Sequence, residues 1–443
     1  MRVSFVSDLR VVLQGRDFRR LFGTRLVSQF ADGIFQFAVY GYAFFTPENQ
    51  TTAAEAAAAF AVLLLPYSVL GPFAGVFIDR WPRRQILVIG PLVRGALLAL
   101  AAALLATGAP DGYFYAVALG ALGVNRFFLA ALGASLPHTV PAERLMMANS
   151  VTPTSGTVAT FLGAGAGFLL RLLFGPGTDG SALLLVVAGV TVALSALVAA
   201  TMDRDLLGPS YDPNRPQTRE AVRNVLRGLA DGARHVARRR AAAAALGSMA
   251  AHRFWYGIAL VMAAMLYRFY FTDGDAEAGL MHASGVVATS GVGYFAAAFL
   301  TPWVTERMRI ETWVTAALAA AGVLSLVLCL PFQEPGFLVA GFVLGLAGQS
   351  VKICADTVVQ RDVDDPYLGR VFSVYDMLFN GMTVAAAAVS ALFLPADGRS
   401  PLAVAVIAAG YLLSAVGYRI VMASAGRSKD DRTPSARAEG PVT

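Results

Sequence analysis

The feature that most constrains this chain is a series of apolar stretches, each close to twenty residues long. A helix of about twenty apolar residues can cross the hydrocarbon core of a bilayer, because it satisfies its own backbone hydrogen bonds. We count about twelve such stretches. They lie near residues 21–45, 54–78, 84–106, 113–136, 150–173, 181–201, 243–270, 281–304, 312–331, 336–359, 367–394 and 401–424. The sequence therefore predicts an all-α membrane protein with twelve transmembrane helices.

The overall composition argues against the other broad classes of protein. Hydrophobic residues make up 56% of the chain and charged residues only 14%, unlike a soluble domain. The four histidines and two cysteines leave no material for a structural metal site or a disulfide framework. The sequence contains no recognisable nucleophile pattern and no Gly-x-x-x-x-Gly-Lys phosphate loop. We therefore expect no enzymatic activity, no metal, no cofactor and no ATP-driven transport.

The chain has a net charge of +6, and the predicted topology explains where the positive charges lie. If the loops alternate between the two sides of the membrane, most arginine and lysine residues fall on one side, whereas the opposite loops offer at most Arg171, Arg268 and Arg399. Such one-sided placement is the positive-inside rule, which puts both termini in the cytoplasm and the protein in the plasma membrane. The expected surroundings are a lipid bilayer, and nucleic acid is not an expected partner.

Six spans, a central loop and six more spans indicate a duplication, so the fold is predicted to be two pseudo-symmetric six-helix bundles. The corresponding ranges are a cytoplasmic segment 1–20, an N-terminal bundle 21–201, a cytoplasmic linker 202–240, a C-terminal bundle 241–424 and a disordered tail 425–443. In the linker, residues 219–240 have the pattern of an amphipathic helix. This helix either lies on the anionic inner membrane surface or is a solvated connection.

Several spans carry polar side chains at helical spacing. An ionised group near the bilayer centre costs at least about 2.5–3.5 kcal/mol, so such groups should face a cavity or a partner. The first span has Arg25, Gln29, Asp32 and Gln36, the tenth Gln349, Lys352, Asp356 and Gln360, and the eleventh Ser373, Asp376, Asn380 and Thr383; other spans add Arg94, Asn125, Arg126, His252, Arg253 and Tyr256. We interpret these residues as the wall of a central, water-accessible cavity that binds a small molecule.

Asp32 is the candidate proton carrier within this cavity. A carboxylate near mid-depth, in low dielectric, can bind and release a proton in the working range of pH, and a neighbouring arginine that moves would change its affinity. The alternative is a permanent Asp–Arg pair between helices. Lys352 and Asp356 are four residues apart on one helix. For these two residues we favour a structural role, an ion pair within the helix, over a role in coupling. His252 is either a second protonation site or, as we favour, a packing residue.

A short charged hinge joins the second and third spans. It contains Gly75, Asp79, Arg80, Arg83 and Arg84. This hinge resembles the loop Gly-x-x-x-Asp-Arg-x-Gly-Arg-Lys/Arg of major facilitator superfamily transporters, with a proline in place of the second glycine. The resemblance implies a monomer whose hinge charges hold the cytoplasmic face closed.

A helix dipole offers a physical basis for this latch. Asp365 followed by Pro366 is typical of a helix start, and the positive end of that helix would attract Asp79 if the two meet. Such a charge–dipole contact is worth about 0.5–2 kcal/mol, enough to bias two conformations of similar energy.

Further matches narrow the resemblance to one subgroup. Arg126 corresponds to a buried arginine of proton-driven members, and the glycine-rich stretch 156–167 resembles the antiporter motif. Residues 348–361 and 369–376 are similar to the enterobactin exporters and macrolide efflux proteins. The resemblance implies proton-coupled export of a drug, siderophore or metabolite by alternating access. The alternatives are an importer or facilitator of the same fold and a receptor-like protein that does not transport.

The charges of the predicted cavity bear on the substrate. The cationic side chains are Arg94, Arg126, Arg253 and Lys352, against the carboxylates of Asp32, Asp356 and Asp376. This basic excess favours a substrate with an anionic group, unless the charges are already paired with one another.

Overall fold

A computed structural model describes residues 14–45, 81–141, 145–203, 206–208 and 218–430. Within these ranges the regular secondary structure is entirely helical, which confirms the predicted all-α fold class. Ten of the described helical segments are long and apolar enough to cross a membrane. The second predicted span, 54–78, lies outside the described residues, as do the hinge residues Gly75, Asp79 and Arg80.

The described helices follow the predicted spans closely. They are α1 (Arg16–Phe45), α2 (Arg83–Ala106), α3 (Asp111–Ser135), α4 (Leu145–Phe174), α5 (Gly177–Ala200), α6 (Thr218–Arg238), α7 (Arg240–Met265), α8 (Ala276–Thr305), α9 (Ile310–Cys329), α10 (Glu334–Asp362), α11 (Asp365–Phe393) and α12 (Pro401–Asp430). A 3₁₀ turn, Leu136–His138, follows α3, and a π-helical turn, Leu266–Tyr270, follows α7. Helix α12 continues to Asp430, into the segment predicted as a disordered tail, because no proline interrupts its last turns.

Helix α1 is not among the ten most apolar segments. Its polar stripe, which includes Gln29, Asp32 and Gln36, lowers the mean hydropathy of its central turns. The polar residues that make this helix a functional candidate therefore also weaken its signal as a span.

The described residues form two compact units. The first unit comprises the described residues up to Arg227 together with Val261–Ala283 and Ala387–Arg399. The second unit comprises Gly228–Leu260, Ser284–Ala386 and the described residues from Ser400 onwards.

In the first unit, α1 packs against α4 and α5, and α2 packs against α3 and α5. Two glycine pairs permit these close approaches. Gly33 of α1 lies against the α4 backbone and Gly163 of α4 against the α1 backbone, so a Cβ at either position would collide with main-chain atoms. Gly95 of α2 and Gly189 of α5 form the second pair, since a Cβ on either would meet the carbonyl oxygen of the other. Small residues therefore fix how near these helices lie.

The second unit repeats this arrangement about 225 residues later in the chain. Gly257 of α7 lies against Thr383 and Ala386 of α11, as Gly33 of α1 lies against α4. Gly322 of α9 lies against Ala408 of α12, in the manner of the Gly95 contact with α5. The same helix pairs thus approach closely in each unit, as expected of a duplicated sequence.

The C-terminal half of helix α6, the predicted amphipathic helix, packs against α11 within the second unit. Gly232 and Val236 are buried, and a Cβ at Gly232 would lie 3.0 Å from Arg370 at the start of α11. The His235 ring stacks on Tyr367 with centroids 4.2 Å apart. Neither sequence-based alternative anticipated this protein contact. Contacts of α6 with α11 run through Gly232 and His235, whereas Leu226, on the predicted apolar face, is 54% exposed. Arg223, Arg227, Arg234 and Arg238 are also exposed.

Candidate functional site

A closed polar trio lies in the first unit, one side chain from each of three helices. Asp32 of α1 forms an ion pair with Arg94 of α2 through Oδ1 and Nη2. Asn125 of α3 bridges both partners, since its Oδ1 accepts from Arg94 Nη1 at 3.1 Å and its Nδ2 donates to Asp32 Oδ2 at 3.1 Å. The residues are 3%, 1% and 1% exposed. Asp32 and Arg94 were both among the polar cavity residues predicted from the sequence.

The amide of Asn125 suits this position because it carries both a donor and an acceptor. Each charged group thus keeps a second polar contact after it is removed from water, which offsets part of the desolvation cost. The face of the Phe35 ring lies 5.6 Å from the Arg94 guanidinium carbon and excludes water from that side. A proton added to Asp32 would cancel one charge of the trio and leave Arg94 with only its polar partner. The arrangement places one titratable carboxylate beside a buried arginine.

The other polar residues predicted for α1 lie in different surroundings. Arg25 and Gln29 pack against Gly156 of α4, where a Cβ would lie 2.8 Å from Arg25 Nε. Gln36 is exposed. Arg126 of α3, predicted from the resemblance to be the buried arginine of proton-driven members, is half-buried, and the hydrogen bonds of the trio run through the adjacent Asn125. Asn125 takes the place in the trio, because neighbouring side chains on an α-helix differ by about 100° in direction.

A second cluster lies in the second unit around Arg253 of α7. The guanidinium carbon lies 4.1 Å from the ring centroid of Phe379 and 5.8 Å from that of Tyr256. Arg253 Nε donates to the Phe379 carbonyl oxygen at 3.3 Å. The Tyr256 hydroxyl lies 3.1 Å from Ser290 Oγ. The Arg253 guanidinium is therefore held by rings and one carbonyl oxygen.

His252 is buried beside Arg253 and faces another direction. Its Nδ1 lies 3.2 Å from the hydroxyl of Tyr411 on α12, and its ring packs on Tyr256 at 5.8 Å. Its other edge fills the space beside Gly348, where a Cβ would collide with the ring. The choice between a second protonation site and a packing residue stays a prediction for His252.

The polar stripe of α10 contains an ion pair. Lys352 Nζ donates to Asp356 Oδ2 at 2.8 Å, and both side chains are about one-third exposed. Lys352 also lies 5.7 Å from the Tyr375 ring centroid. Gln349 of the same stripe is half-buried. The ion pair within one helix is the arrangement favoured from the sequence.

The polar stripe of α11 is more accessible. Asp376 is exposed, and Asn380, one turn further on, donates to the Asp376 carbonyl oxygen at 2.9 Å. That hydrogen bond runs along the helix backbone.

The described hinge residues act as helix caps. Arg83 Nη1 donates to the carbonyl oxygens of Ala134 and Leu207 at 2.9 and 3.2 Å. Arg84 donates to the carbonyl oxygens of Met202 and Ala200, both at 2.7 Å. Ala134 and Ala200 lie in the last turns of α3 and α5, where carbonyl groups lack an intrahelical donor, whereas Met202 and Leu207 lie outside the helices. Asp365 is the first residue of α11, but its side chain is not among those described, so the proposed contact with Asp79 stays a prediction.

The sequence interpretation missed one buried ion pair. Arg171, near the end of α4, was assigned to a loop, yet it is 2% exposed and pairs with Glu277 in the first turn of α8. It also donates to Ser181 Oγ and the Gly177 carbonyl oxygen, both at 2.9 Å. No local pattern links Arg171 to Glu277, because the two lie 106 residues apart.

Metal binding has no support in the described part of the chain. No three or more His, Cys, Asp or Glu side chains there lie close enough together to hold an ion. The chemistry of both clusters is that of hydrogen bonds, ion pairs and aromatic contacts.

Comparison with known proteins finds transporters. A family model for the Major Facilitator Superfamily matches residues 21–387. An uncharacterized MFS-type transporter of Mycobacterium tuberculosis is 40% identical over 405 residues, 91% of each chain. The multidrug efflux pump Tap of the same organism is 24% identical over 379 residues, 82% of this chain and 84% of the pump. A mutant of the nucleoside transporter NupG matches with a TM-score of 0.67 at 14% identity, covering 90% of this chain and 99% of that one, a likeness of fold alone.

Proposed function

Because the chain belongs to the Major Facilitator Superfamily, we propose that it exports a small organic molecule from the cell in exchange for protons. The fold is that of a multi-pass membrane transporter. Coupling to protons and the outward direction are the parts of this function that we add.

The buried trio of Asp32, Arg94 and Asn125 is the observation that carries the proposal. Asp32 is the only carboxylate of the three, so a proton can remove the negative charge from the site in one step. Without that charge, the Arg94 guanidinium lies buried with no counter-ion, which is unfavourable in low dielectric. The transporter would then relax to the conformation in which Arg94 finds water or another partner. Ionised Asp32 would stabilise one conformation of the transporter and protonated Asp32 the other. This difference would couple proton flow to alternating access.

Two observations support the outward direction. First, the sequence similarity to Tap, which is named as a multidrug efflux pump, extends over 82% of this chain. Second, the glycine-rich stretch of α4, which resembles the antiporter motif, places Gly163 directly against α1, the helix that carries Asp32. A subgroup close to the enterobactin exporters and macrolide efflux proteins would agree with both.

The proposal also includes the domain boundaries and topology that were predicted from the sequence. Residues 21–201 and 241–424 form the two bundles, both termini and the linker are cytoplasmic, and the monomer in the plasma membrane is the working unit. In this proposal Asp79 and Arg80, with Gly75 in the same hinge, form the cytoplasmic latch.

The test begins with the substrate. Metabolites are compared inside and outside deletion and overexpressing cells, and the compound that overexpression moves outwards is then offered to everted membrane vesicles. We expect uptake into everted vesicles that requires an imposed proton gradient and is abolished in Asp32→Asn. Asp179→Asn, the same change at an exposed carboxylate, should keep wild-type uptake.

Other outcomes favour the alternatives. Uptake confined to right-side-out cells would favour an importer, and uptake independent of the gradient would favour a facilitator. A complete lack of flux for every compound whose level responds to the gene would favour a receptor-like protein.

A further inference from the structure

Two of the cations predicted for the cavity form ion pairs with carboxylates. Asp32 neutralises Arg94 in the first unit, and Asp356 neutralises Lys352 in the second. Arg253, by contrast, forms no ion pair with any carboxylate among the described residues. A guanidinium remains charged at every physiological pH, so an uncompensated one within a membrane span is costly unless a ligand supplies the anion.

The contacts of Arg253 leave one edge of its guanidinium available. Of its five N–H donors, Nε alone is used by a described acceptor, the Phe379 carbonyl oxygen. The Phe379 ring, 4.1 Å from the guanidinium carbon, covers one face and fixes the plane of the group. The two terminal nitrogens therefore form a fixed fork, which matches the two oxygens of a carboxylate better than a single point charge would.

Aromatic rings surround this fork. Tyr375 stacks nearly parallel to Phe379, with centroids 6.4 Å apart and an interplanar angle of 8°. Tyr256 contributes a further ring, with its centroid 5.8 Å from the guanidinium carbon of Arg253. Flat, polarizable walls of this kind favour a planar ring as the neighbour of the bound anion.

We propose that Arg253, Phe379, Tyr375 and Tyr256 form a subsite for an aromatic carboxylate, and that compounds of this class are the substrates. The carboxylate accepts two hydrogen bonds from the Arg253 fork, and the aromatic ring packs against the tyrosine and phenylalanine rings. This inference rests on the proposed transport function for its biological meaning, whereas binding itself can be measured without transport.

The first test compares two ligands of the same shape on the purified full-length protein in detergent. Salicylate and its neutral isostere salicylamide, with 1-naphthoate and 1-naphthamide as a larger pair, are titrated by calorimetry. We expect each carboxylate to bind about 10- to 100-fold more tightly than its amide, the range for a hydrogen-bonded charged pair. Equal affinities within a pair, or no binding of any of the four, would overturn the subsite.

The second test assigns the preference to Arg253. In Arg253→Gln the carboxylate should lose that advantage while the amide keeps its wild-type affinity, and in Arg253→Lys part of the advantage should remain. Arg419→Gln, at an exposed arginine of the same unit, is the matched control and should bind as wild type. A preference that persists unchanged in Arg253→Gln would disprove the assignment, and the Lys variant keeps the test valid if the Gln variant unfolds.

The two proposals can fail separately. Gradient-driven export that depends on Asp32 but shows no carboxylate preference would remove the subsite and leave the transport function. Carboxylate binding that depends on Arg253, with flux unchanged in Asp32→Asn, would keep the subsite and remove the proton-coupling function.

Discussion

Arg171 and Glu277 form a two-point ion pair, with Nη2 2.9 Å from Oε2 and Nε 3.2 Å from Oε1. The pair joins the last turns of α4 to the first turn of α8 within the first unit. The arginine is buried and the glutamate side chain is 31% exposed, so one partner is desolvated and the other remains in contact with solvent. Glu277 also benefits from its place at a helix N-terminus, where backbone N–H groups favour negative charge.

Loss of this pair should destabilise the protein measurably. Glu277→Gln leaves the Arg171 charge buried with only neutral partners, at a cost of about 1–3 kcal/mol. The apparent melting temperature in detergent should fall by several degrees. The charge-reversed double variant Arg171→Glu/Glu277→Arg should recover part of the loss. Arg234→Gln, which breaks the exposed pair with Asp231, should change the melting temperature little. Equal effects of the two glutamine variants would contradict a special role for the buried pair.

The trio predicts an unusual order of stability among its variants. Asp32→Asn alone leaves Arg94 charged and buried, whereas Asp32→Asn/Arg94→Gln removes both charges. Because an unpaired buried charge costs more than the loss of the whole pair, the double variant should melt at a higher temperature than Asp32→Asn. Gradient-driven transport should be absent from both. Thermal unfolding in detergent, followed by tryptophan fluorescence, measures the order. A double variant that melts at or below the temperature of Asp32→Asn would refute the prediction.

The glycine-rich stretch of α4 offers a matched pair of substitutions. Gly163→Ala places a methyl group against the Phe30 backbone, so α1 and α4 must separate, and we expect a loss of about 2 kcal/mol or more. Gly165→Ala, two residues away, meets nothing within 4 Å and should be neutral or stabilising by up to about 1 kcal/mol. The melting temperatures of the two variants in detergent measure this difference in stability. Similar losses at both positions would mean that helix flexibility, and not close approach, explains these glycines.

Helix α6 should detach when its contact with α11 is blocked. A leucine at Gly232 would meet the Arg370 backbone and side chain, and the exposed arginines of α6 would then become better substrates for trypsin. We expect cleavage within α6 to accelerate about tenfold or more in Gly232→Leu, because proteolysis follows local opening. Ala233→Leu changes the adjacent, exposed position and serves as the control. Unchanged cleavage in Gly232→Leu would show that α6 is not held by this contact.

The span pattern and the polar stripes were predictable from the sequence, and the described residues confirm the all-helical fold. Bilayer thickness requires a minimum apolar length, and a charge in lipid is expensive wherever the helix lies. These local rules act on each segment by itself, so Asp32, Arg94 and Lys352 could be selected as functional candidates without knowledge of their neighbours. The ion pair between Lys352 and Asp356 was also accessible, because four residues on one helix define its geometry.

The partners across helices depended on tertiary packing. Asn125, and not Arg126, completes the trio because the rotation of α3 turns one of two adjacent side chains toward α1 and α2. The contacts of Arg171 with Glu277 and of α6 with α11 join segments that are distant in the chain. Helical periodicity defines which residues share a face of one helix. Which helix packs against that face depends on close contacts such as that of Gly33 with α4. That choice is a property of the assembled bundle, since no single helix contains the information.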